Sequence, residues 1–363
     1  MIGAKLVRSP GLTGDHVRLL LAEAAGDLER ICEPEIVARV DLPPAARRFL
    51  RAPDVAALQA DLAWLRASGA RLVLWGQSDY PEPLAAIQGA PAALYVAGHI
   101  PALSAAQIAM VGARRASPSG RAIARELAGD LTRMGLTVTS GLAAGIDAAS
   151  HDGALRAGGR TVAVLGTGLD RVYPPENAGL AARIRAAGAL VSEFPPRTPP
   201  LPQHFPRRNR IISGLARGTL VVEAARSSGS LITAERALQQ GREVLAVPGS
   251  IRSPLSWGCH RLIREGAHLV AEAADVLTAL SPMIFNDEIQ RLGSAAQRPD
   301  SSAPLDKEYE MLLDALGFEP ATIDTLMARS GLSGESIASM LLILELEGRI
   351  APYPGGLYGR LSK

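Results

Sequence analysis

Lysine is nearly missing from this chain of 363 residues, although arginine is plentiful. The lysines are Lys5, Lys307 and Lys363, and all three lie outside the middle of the sequence. A phosphoryl-transfer site of the P-loop kind, or a Schiff base, normally needs a lysine in the site. The pattern Gly-x-x-x-x-Gly-Lys-Ser/Thr is missing too. These absences weigh against both chemistries.

Cysteine and long apolar runs are scarce as well. Cys32 and Cys259 are too few and too far apart for a zinc site or a disulfide framework, so we expect two buried or half-buried reduced thiols. No apolar run reaches the length of a membrane span, and the N-terminus lacks a secretory signal pattern. We therefore expect a cytoplasmic protein without a membrane partner.

The net charge of +2 conceals an uneven distribution. Residues 101–304 hold twenty-three basic and sixteen acidic side chains, whereas residues 1–100 hold ten and eleven, and residues 305–363 hold five and nine. The central region is therefore +7 and the tail −4. Electrostatic binding to nucleic acid grows with the number of phosphates neutralised. The sequence thus predicts any such contact in the central region.

The central basic side chains concentrate between Arg197 and Val222, a stretch without an acidic residue. Its arginines are Arg197, Arg207, Arg208, Arg210 and Arg217. A guanidinium group is the preferred partner of phosphate because it stays charged and presents a planar fork of donors. Phe205 and Asn209 in the same run are able to meet bases. A phosphate polymer is the first hypothesis, and a solvated helix face is the alternative.

The hydrophobic pattern divides the chain into five segments. We predict a helical module at 1–80, a connector at 81–106, an α/β domain at 107–280, a linker at 281–304 and a winged-helix module at 305–363. In the α/β domain, apolar strands alternate with amphipathic helices, which is typical of a doubly wound, mostly parallel sheet covered on both faces. Ligands bind at the carboxyl ends of the strands in such sheets.

The individual elements of the central domain are predicted from the same pattern. The predicted strands are 108–112, 137–141, 161–166, 189–193, 219–223, 244–248 and 269–271. The predicted helices include 120–134, 147–157, 178–187 and 231–240. The tail is expected to contain three helices followed by a hairpin. Because Glu335, Glu345 and Glu347 lie on the third of these helices, a protein-contact or dimer module is favoured there over a groove-reading one.

Two glycine-containing loops follow the first two central strands. The first holds Gly112, Arg114 and Arg115 before a helix, so phosphate binding at the helix N-terminus and a simple turn with surface arginines are equally compatible with it. The second holds Ser140 and Gly141 and leads to Asp147 and His151, one helical turn apart. An acid/base couple is one interpretation of this pair, but helix capping by Asp147 is favoured.

Two further loops follow later strands. Gly166-Thr-Gly168 lacks the third glycine of a dinucleotide fingerprint, so it indicates a tight turn, and we expect neither a cofactor nor a metal ion. The loop at Ser228, Gly229 and Ser230 places hydroxyl groups and a glycine at a helix start. Such a nest suits one phosphate.

Taken together, the motifs of residues 108–280 closely resemble the DNA-processing protein A family (DprA, also called Smf). They are Val111-Gly-Ala-Arg114, Ser140-Gly-Leu-Ala-Ala-Gly-Ile-Asp-Ala-Ala-Ser-His151, Gly166-Thr-Gly-Leu-Asp-Arg-Val-Tyr-Pro-Pro-Glu176, Ser192-Glu-Phe-Pro195, His204-Phe-Pro-Arg-Arg-Asn-Arg-Ile-Ile-Ser-Gly-Leu215, Val221-Val-Glu-Ala224, Ser228-Gly-Ser-Leu-Ile-Thr-Ala234 and Ala246-Val-Pro-Gly249. The flanking modules fit the three-part layout of that family, with a SAM-like helical module first and a winged helix last.

The resemblance implies an extended Rossmann fold without catalytic activity. It implies a homodimer formed through that domain, which binds and protects single-stranded DNA and hands it to the recombinase RecA in natural transformation. The residues expected to line the path of the strand are Gly112, Arg114, Arg115, Ser140, Gly141, Phe205, Arg208, Asn209, Arg210, Ser228, Gly229 and Ser230. A charge reversal at both Arg208 and Arg210 is expected to nearly abolish binding and to leave the fold intact.

An enzyme acting on a nucleotide or a phosphoribosyl group is the alternative function. The side chains that it would recruit are Asp147, His151, Asp170, Glu193 and Glu223. A structural adaptor that works through the acidic tail is a third interpretation, and it is compatible with DNA binding.

Overall fold

The computed structural model describes residues 1–281, 307–316, 321–346, 350–353 and 357–360. The chain forms two compact units, Met1–Asn286 and Asp287–Lys363. The predicted linker at 281–304 lies outside the described residues except for Ser281.

Short helices form the N-terminal part of the first unit, as the spacing of apolar residues predicts. They are α1 (Ile2–Arg8), α2 (Gly14–Glu23), α3 (Pro34–Arg39), α4 (Pro44–Arg51) and α5 (Val55–Ser68). Proline at the first helical position starts α3 and α4, where its missing N–H costs nothing. Leu6, Val17, Leu20, Ile31 and Leu50 belong to a separate apolar core in this region.

A nine-stranded sheet forms the rest of the first unit, in the order β1-β2-β6-β5-β4-β3-β7-β8-β9. The strands are β1 (Arg71–Leu74), β2 (Ala93–Gly98), β3 (Gln107–Val111), β4 (Thr137–Ser140), β5 (Thr161–Leu165), β6 (Ala189–Ser192), β7 (Gly218–Val221), β8 (Glu243–Ala246) and β9 (His268–Leu269). The helices are α6 (Glu82–Ala85), α7 (Pro118–Arg133), α8 (Ile146–Arg156), α9 (Ala178–Ala187), α10 (His204–Leu215), α11 (Gly229–Gln239), α12 (Trp257–Arg264) and α13 (residues 273–281). Strands β3 to β9 pair in parallel.

Both faces of the sheet are covered, which explains why its central strands are buried at every position. In β3, Ile108 and Met110 pack into the cluster that holds the apolar side chains of α7 and α8. Ala109 and Val111 pack into the cluster on the opposite face, together with α10 and α11. The prediction of a doubly wound, mostly parallel sheet is confirmed.

The sheet is wider than the predicted α/β domain. β1 and β2 pair antiparallel with each other, and β2 pairs antiparallel with β6, with Tyr95 opposite Ser192. The segment 81–106, predicted as a connector, therefore contributes a strand that is buried from Ala93 to Ala97. The prolines on both sides of it conceal this strand in the sequence. The division of the chain into modules stays a prediction.

The second unit contains helices and a three-stranded antiparallel sheet in the order β10-β12-β11. Its elements are α14 (Lys307–Leu316), β10 (Ala321–Thr322), α15 (Ile323–Ser330), α16 (Gly334–Leu346), β11 (Ile350–Tyr353) and β12 (Leu357–Arg360). The three helices and the hairpin agree with the predicted winged-helix pattern. Glu347 and the side chains of Glu335 and Glu345 lie outside the described part of the chain. The role of the tail therefore stays a prediction.

None of the helices in the described ranges is long and apolar enough to cross a membrane.

Candidate nucleic-acid interface

A cleft opens where the winding direction of the sheet reverses. The chain runs from β3 to β6 on one side of β3 and places β7 to β9 on the other side. A crevice forms outside the carboxyl ends of the strands at such a point. Here it has a volume of about 560 Å³. The predicted site residues that line it are Gly112, Arg114, Phe205, Arg208, Asn209, Ser228, Gly229 and Ser230.

The loop after β3 contributes Gly112 and Arg114 to the cleft. A Cβ atom at Gly112 would overlap the side chain of Ile146 and the carbonyl oxygen of Glu223, so this position requires glycine. The Ala113 N–H donates to that same carbonyl oxygen at 2.8 Å and holds the loop against β7. Arg114 is exposed, and its guanidinium lies 5.3 Å from the centre of the Phe205 ring.

The N-terminus of α7 does not face the cleft as a free anion site, which the sequence left open. The Glu223 carboxylate accepts hydrogen bonds from the Ser117 N–H at 2.9 Å and from the Ser117 hydroxyl at 2.5 Å. A negative side chain of the protein thus already occupies the positive end of this helix. Arg115, in the same loop, is exposed but does not line the cleft.

Ser140 and Gly141 are buried and do not line the cleft. The Ser140 hydroxyl donates to the carbonyl oxygen of Met110 at 2.5 Å. The Gly141 N–H donates to the Asp147 carboxylate at 3.2 Å, and the Gly141 carbonyl oxygen accepts from the Arg208 guanidinium at 2.6 Å. These two residues hold the loop after β4 in place. The same loop reaches the cleft through Ala143.

Arg208 lies almost completely buried at the base of the cleft, with 4% of its surface exposed. Its guanidinium donates to the carbonyl oxygens of Gly141 and Val164. Burial lowers the pKa of Arg208 to about 10, although the Asp147 carboxylate opposes that change, so the group stays charged at neutral pH. The expectation that a charge reversal here leaves the fold intact is wrong, because a carboxylate would face two carbonyl oxygens.

The orientation of α10 determines which of its side chains line the cleft. Phe205, Arg208, Asn209 and Ile212 lie at helical spacing on the face that lines it. Asn209 accepts a hydrogen bond from Arg208 Nε at 3.1 Å through its side-chain oxygen.

The side chains of Arg207 and Arg210 are not on the cleft face of α10. They pair with the buried carboxylate of Glu193. Arg207 Nε lies 3.0 Å from Glu193 Oε2, and Arg210 pairs with Oε1. Arg210 does not line the cleft, and its guanidinium is engaged by Glu193, which it shares with Arg207.

Two aromatic rings stand at the cleft. Phe205 is half-buried, and its ring centre lies 5.7 Å from that of Tyr173. The Tyr173 side chain is 43% exposed. Sequence reasoning did not select Tyr173, although it belongs to one of the motifs that carry the family resemblance. An aromatic residue that follows a predicted parallel strand within that motif is the sequence signal that could have found it.

The serine-rich loop brings a helix N-terminus to the cleft. Ser228 caps α11, because its hydroxyl oxygen accepts from the Ser230 N–H at 3.4 Å and lies 2.7 Å from the Ser230 hydroxyl. Gly229 is exposed, with open space at the position of a Cβ atom. The first turn of α11 therefore offers hydroxyl and amide donors, together with the positive end of the helix dipole, to an anion in the cleft.

Asp147 and His151 do not form an acid/base couple. Asp147 accepts from the N–H groups of Gly141 and Ala143, and burial raises its pKa. Its carboxylate therefore holds the preceding loop rather than the end of its own helix. His151 contacts the Thr161 hydroxyl through Nδ1 at 2.7 Å, and burial lowers the pKa of His151 to about 3.

The other acids of the enzyme alternative also have partners within the protein. Asp170 accepts from the Arg197 N–H at 2.8 Å. Glu193 pairs with the two arginines of α10, and Glu223 holds the start of α7. This arrangement favours binding over general acid or base chemistry. Cys32 and Cys259 are free thiols, half-buried and buried respectively, as predicted.

The switch-point cleft defines the class of protein. A doubly wound sheet with a cleft lined by a helix N-terminus, an exposed arginine and two rings is a Rossmann-like binding protein for a phosphate-containing ligand.

Comparison with known protein families identifies the family within that class. The family model of the DNA recombination-mediator protein A matches residues 71–281, and that of the DprA winged helix domain matches residues 296–356. The chain belongs to the DprA/Smf family of DNA-processing proteins. The family resemblance in the sequence is thereby confirmed.

Relatives align over most of the chain. The Smf protein of Escherichia coli is 43% identical over 321 residues, which are 88% of this chain and 84% of that protein. The DNA processing protein DprA of Streptococcus pneumoniae is 48% identical over 198 residues, 54% of this chain and 70% of that protein. The X-ray structure of the Streptococcus pneumoniae protein superposes with a TM-score of 0.67 at 38% identity, covering 75% of this chain and 95% of the other.

Proposed function

We propose that the protein binds single-stranded DNA in the switch-point cleft without reading its sequence. The observation that carries the proposal is the meeting of the α11 N-terminus, Arg114 and the rings of Phe205 and Tyr173 in one cleft. Amide, hydroxyl and guanidinium donors suit phosphates, and aromatic faces suit any base. Hydrogen-bond readout of a particular base is not required.

An unpaired strand fits these groups better than a duplex. Ring stacking needs exposed base faces, which base pairing and stacking hide in double-stranded DNA. The solved structure of DNA processing protein A from Helicobacter pylori, with a TM-score of 0.53 at 23% identity, is described by its single-stranded DNA binding mode. This description agrees with the ligand proposed here.

The role is a binding role rather than a catalytic one, because the acids and the histidine near the cleft are engaged in internal hydrogen bonds and ion pairs. Delivery of the strand to RecA, and a homodimer formed through the first unit, complete the proposal. Both come from the family resemblance. Co-sedimentation with RecA filaments, and light scattering of the free protein, test them.

Fluorescence anisotropy with a single-stranded oligonucleotide and the matching duplex, over a salt series, tests the ligand. The expected result is tighter binding of the single strand. If Arg114 and the α11 N-terminus neutralise about two phosphates of a short oligonucleotide, the slope of log affinity against log salt is about −1.4. Equal or tighter binding of the duplex, or binding that is independent of salt, would contradict the proposal.

A further inference from the structure

A second cluster of arginines lies on the far side of the loop after β4, where α7, α8 and α9 meet. Three guanidinium groups share the single carboxylate of Asp152. Arg125 Nε lies 3.3 Å from Oδ2, Arg156 Nε lies 2.8 Å from Oδ2, and Arg183 donates to Oδ1 at 3.0 Å. With Arg121, one helical turn before Arg125, these side chains form what we call the Asp152 arginine cluster.

The charges in this cluster do not balance. Four arginines against one aspartate leave a charge of +3, and the ion pairs found for Arg125, Arg156 and Arg183 all go to Asp152. Arg121 donates to the carbonyl oxygen of Ala116 at 2.5 Å, which leaves its charge in place. Guanidinium groups that repel one another around one carboxylate favour the approach of a further anion.

The cluster surrounds a shallow depression of about 300 Å³. Arg121, Arg125 and Arg183 line it, together with Asn177 and Leu180, and none of its lining residues is aromatic. The depression therefore offers charge but no stacking surface. It suits the phosphates of a polynucleotide and not its bases.

One loop separates this depression from the switch-point cleft. Ala143 lines the cleft, whereas Ala144 and Gly145 line the depression. Gly145 has a positive φ of 83°, and a Cβ atom there would overlap the carbonyl oxygens of Ala113 and Arg114. The loop after β4 is thus pressed against the loop after β3. The exposed side chains of Arg114 and Arg115 belong to that second loop, which continues into α7 and the cluster.

We propose that the Asp152 arginine cluster is a second contact for the backbone of the same DNA strand, which crosses the loop after β4 as it leaves the cleft. The inference rests on the proposed function, since it extends the path of the same ligand. Short strands fill the cleft alone, and longer strands also reach the cluster. Asp152 acts as an internal counter-ion that phosphate partly replaces.

Removal of two cluster arginines separates the two contacts. The double substitution Arg125→Ala and Arg183→Ala is expected to leave the affinity for an oligonucleotide of about six nucleotides unchanged. For one of about thirty nucleotides, affinity falls about tenfold and the salt slope becomes less negative by about 1.4, which is the loss of two phosphate contacts. Both side chains are part-exposed, so a matched urea-unfolding curve should show a near-native midpoint.

Neutralising the aspartate should change the affinity for the long oligonucleotide in the opposite direction. A cluster with a purely structural role would not produce this increase. Asp152→Asn should tighten binding of the long oligonucleotide several-fold and leave the short one unchanged. Asp130→Asn is the matched control, because Asp130 pairs with a single arginine, Arg133, at the far end of α7. That control should not change either affinity.

The outcomes distinguish this inference from the function on which it rests. If the wild-type protein binds neither oligonucleotide, the proposed function itself fails. If it binds both, and neither the double substitution nor Asp152→Asn changes the affinity for the long one, the cluster is not on the path of the strand.

Discussion

His151 is a buried histidine whose proton position follows from its neighbours. The Thr161 hydroxyl donates to the carbonyl oxygen of Val138 at 2.6 Å, so it can only accept from His151 Nδ1. The proton of the neutral ring is therefore on Nδ1. Nε2 is buried without a hydrogen-bond partner, and protonation there would place an uncompensated charge beside the buried Arg208. This explains why the pKa of His151 is lowered to about 3.

The lowered pKa of His151 predicts that the folded protein loses stability at acid pH. Because its pKa falls from 6.5 in the unfolded chain to about 3 in the folded one, the unfolded state binds more protons between these values. The free energy of unfolding therefore falls as the pH drops through that window, by up to about 1.4 kcal/mol per pH unit from this group.

In the variant His151→Asn, a neutral amide replaces the Nδ1–H donor, so the acid dependence of its unfolding free energy should be shallower. Urea unfolding at pH values from 7 down to about 4 measures the difference. Parallel curves for the two proteins would show that another group causes the loss.

Substitution of Phe205 can distinguish stacking of its ring on a DNA base from packing of the ring within the protein. Its ring packs on Gly166, and Arg114 and Tyr173 flank it. Phe205→Leu keeps an apolar side chain but removes the ring, so affinity for single-stranded DNA should fall by roughly 1 to 3 kcal/mol, or about 5- to 150-fold. Anisotropy titration measures this effect. A Phe205→Tyr control should bind nearly as well as the wild type, and full affinity in the leucine variant would assign the ring to packing alone.

Arg208 and Arg114 are both at the cleft, but burial gives them different roles. Arg208→Met leaves two carbonyl oxygens without their donor and removes the larger of the positive charges near Asp147, so we expect a loss of about 3 to 5 kcal/mol of stability. Arg114→Met should leave the unfolding midpoint unchanged and weaken DNA binding, because Arg114 is exposed. Urea unfolding measures the stability of both variants, and anisotropy measures their affinity for DNA. A native midpoint for Arg208→Met would contradict the assignment.

Gly120 in α7 and Gly179 in α9 both lie in the first turn of their helix, but their surroundings differ. A Cβ atom at Gly120 in α7 would overlap the Glu223 carboxylate, whereas the space around Gly179 in α9 is open. Gly120→Ala should therefore cost roughly 1 to 3 kcal/mol, because the carboxylate must leave Ser117. Gly179→Ala should stabilise by about 0.5 to 1 kcal/mol through helix propensity. Thermal unfolding of the two variants compares them, and equal effects would show that Glu223 does not hold the α7 terminus.

At the scale of elements, the strands of the α/β domain were predictable, whereas β2 and the orientation of α10 were not. Predicted strands such as 161–166 and 189–193 agree with β5 and β6 to within one residue, because strands buried on both faces are uninterrupted apolar runs. For the segment of α10, the sequence indicates a phosphate-binding run and leaves a solvated helix face as the alternative. Its helical face decides which side chains reach the cleft, and the order of residues does not show where that face points.

At the scale of the whole molecule, we expect the first unit to bind single-stranded DNA by itself. The proposed cleft and the Asp152 arginine cluster belong to the first unit, which has its own apolar cores. Removing residues 287–363 should therefore leave the affinity for single-stranded DNA within about twofold of the wild type. Self-association or partner binding should weaken if the acidic tail is a protein-contact module. Anisotropy and light scattering measure the two effects, and a large loss of DNA affinity would place the tail at the strand.

The sequence by itself determined the alternation of strands and helices, the position of the glycine and serine loops at strand ends, and the family. These features depend on local spacing and on motifs, which are visible in the order of residues. Both loops that line the cleft most closely, at Gly112 and at Ser228, were found in this way.

Only the tertiary structure decided which charges are available to a ligand. Glu193 compensates Arg210, Glu223 closes the start of α7, and burial commits Arg208 to two backbone carbonyls. The single aspartate on α8, by contrast, leaves three positive charges of its four neighbouring arginines uncompensated. Each of these outcomes depends on partners that are distant in sequence or on burial. Because the effect of a charge depends on its neighbours in space and on its access to water, the count of arginines could not show it.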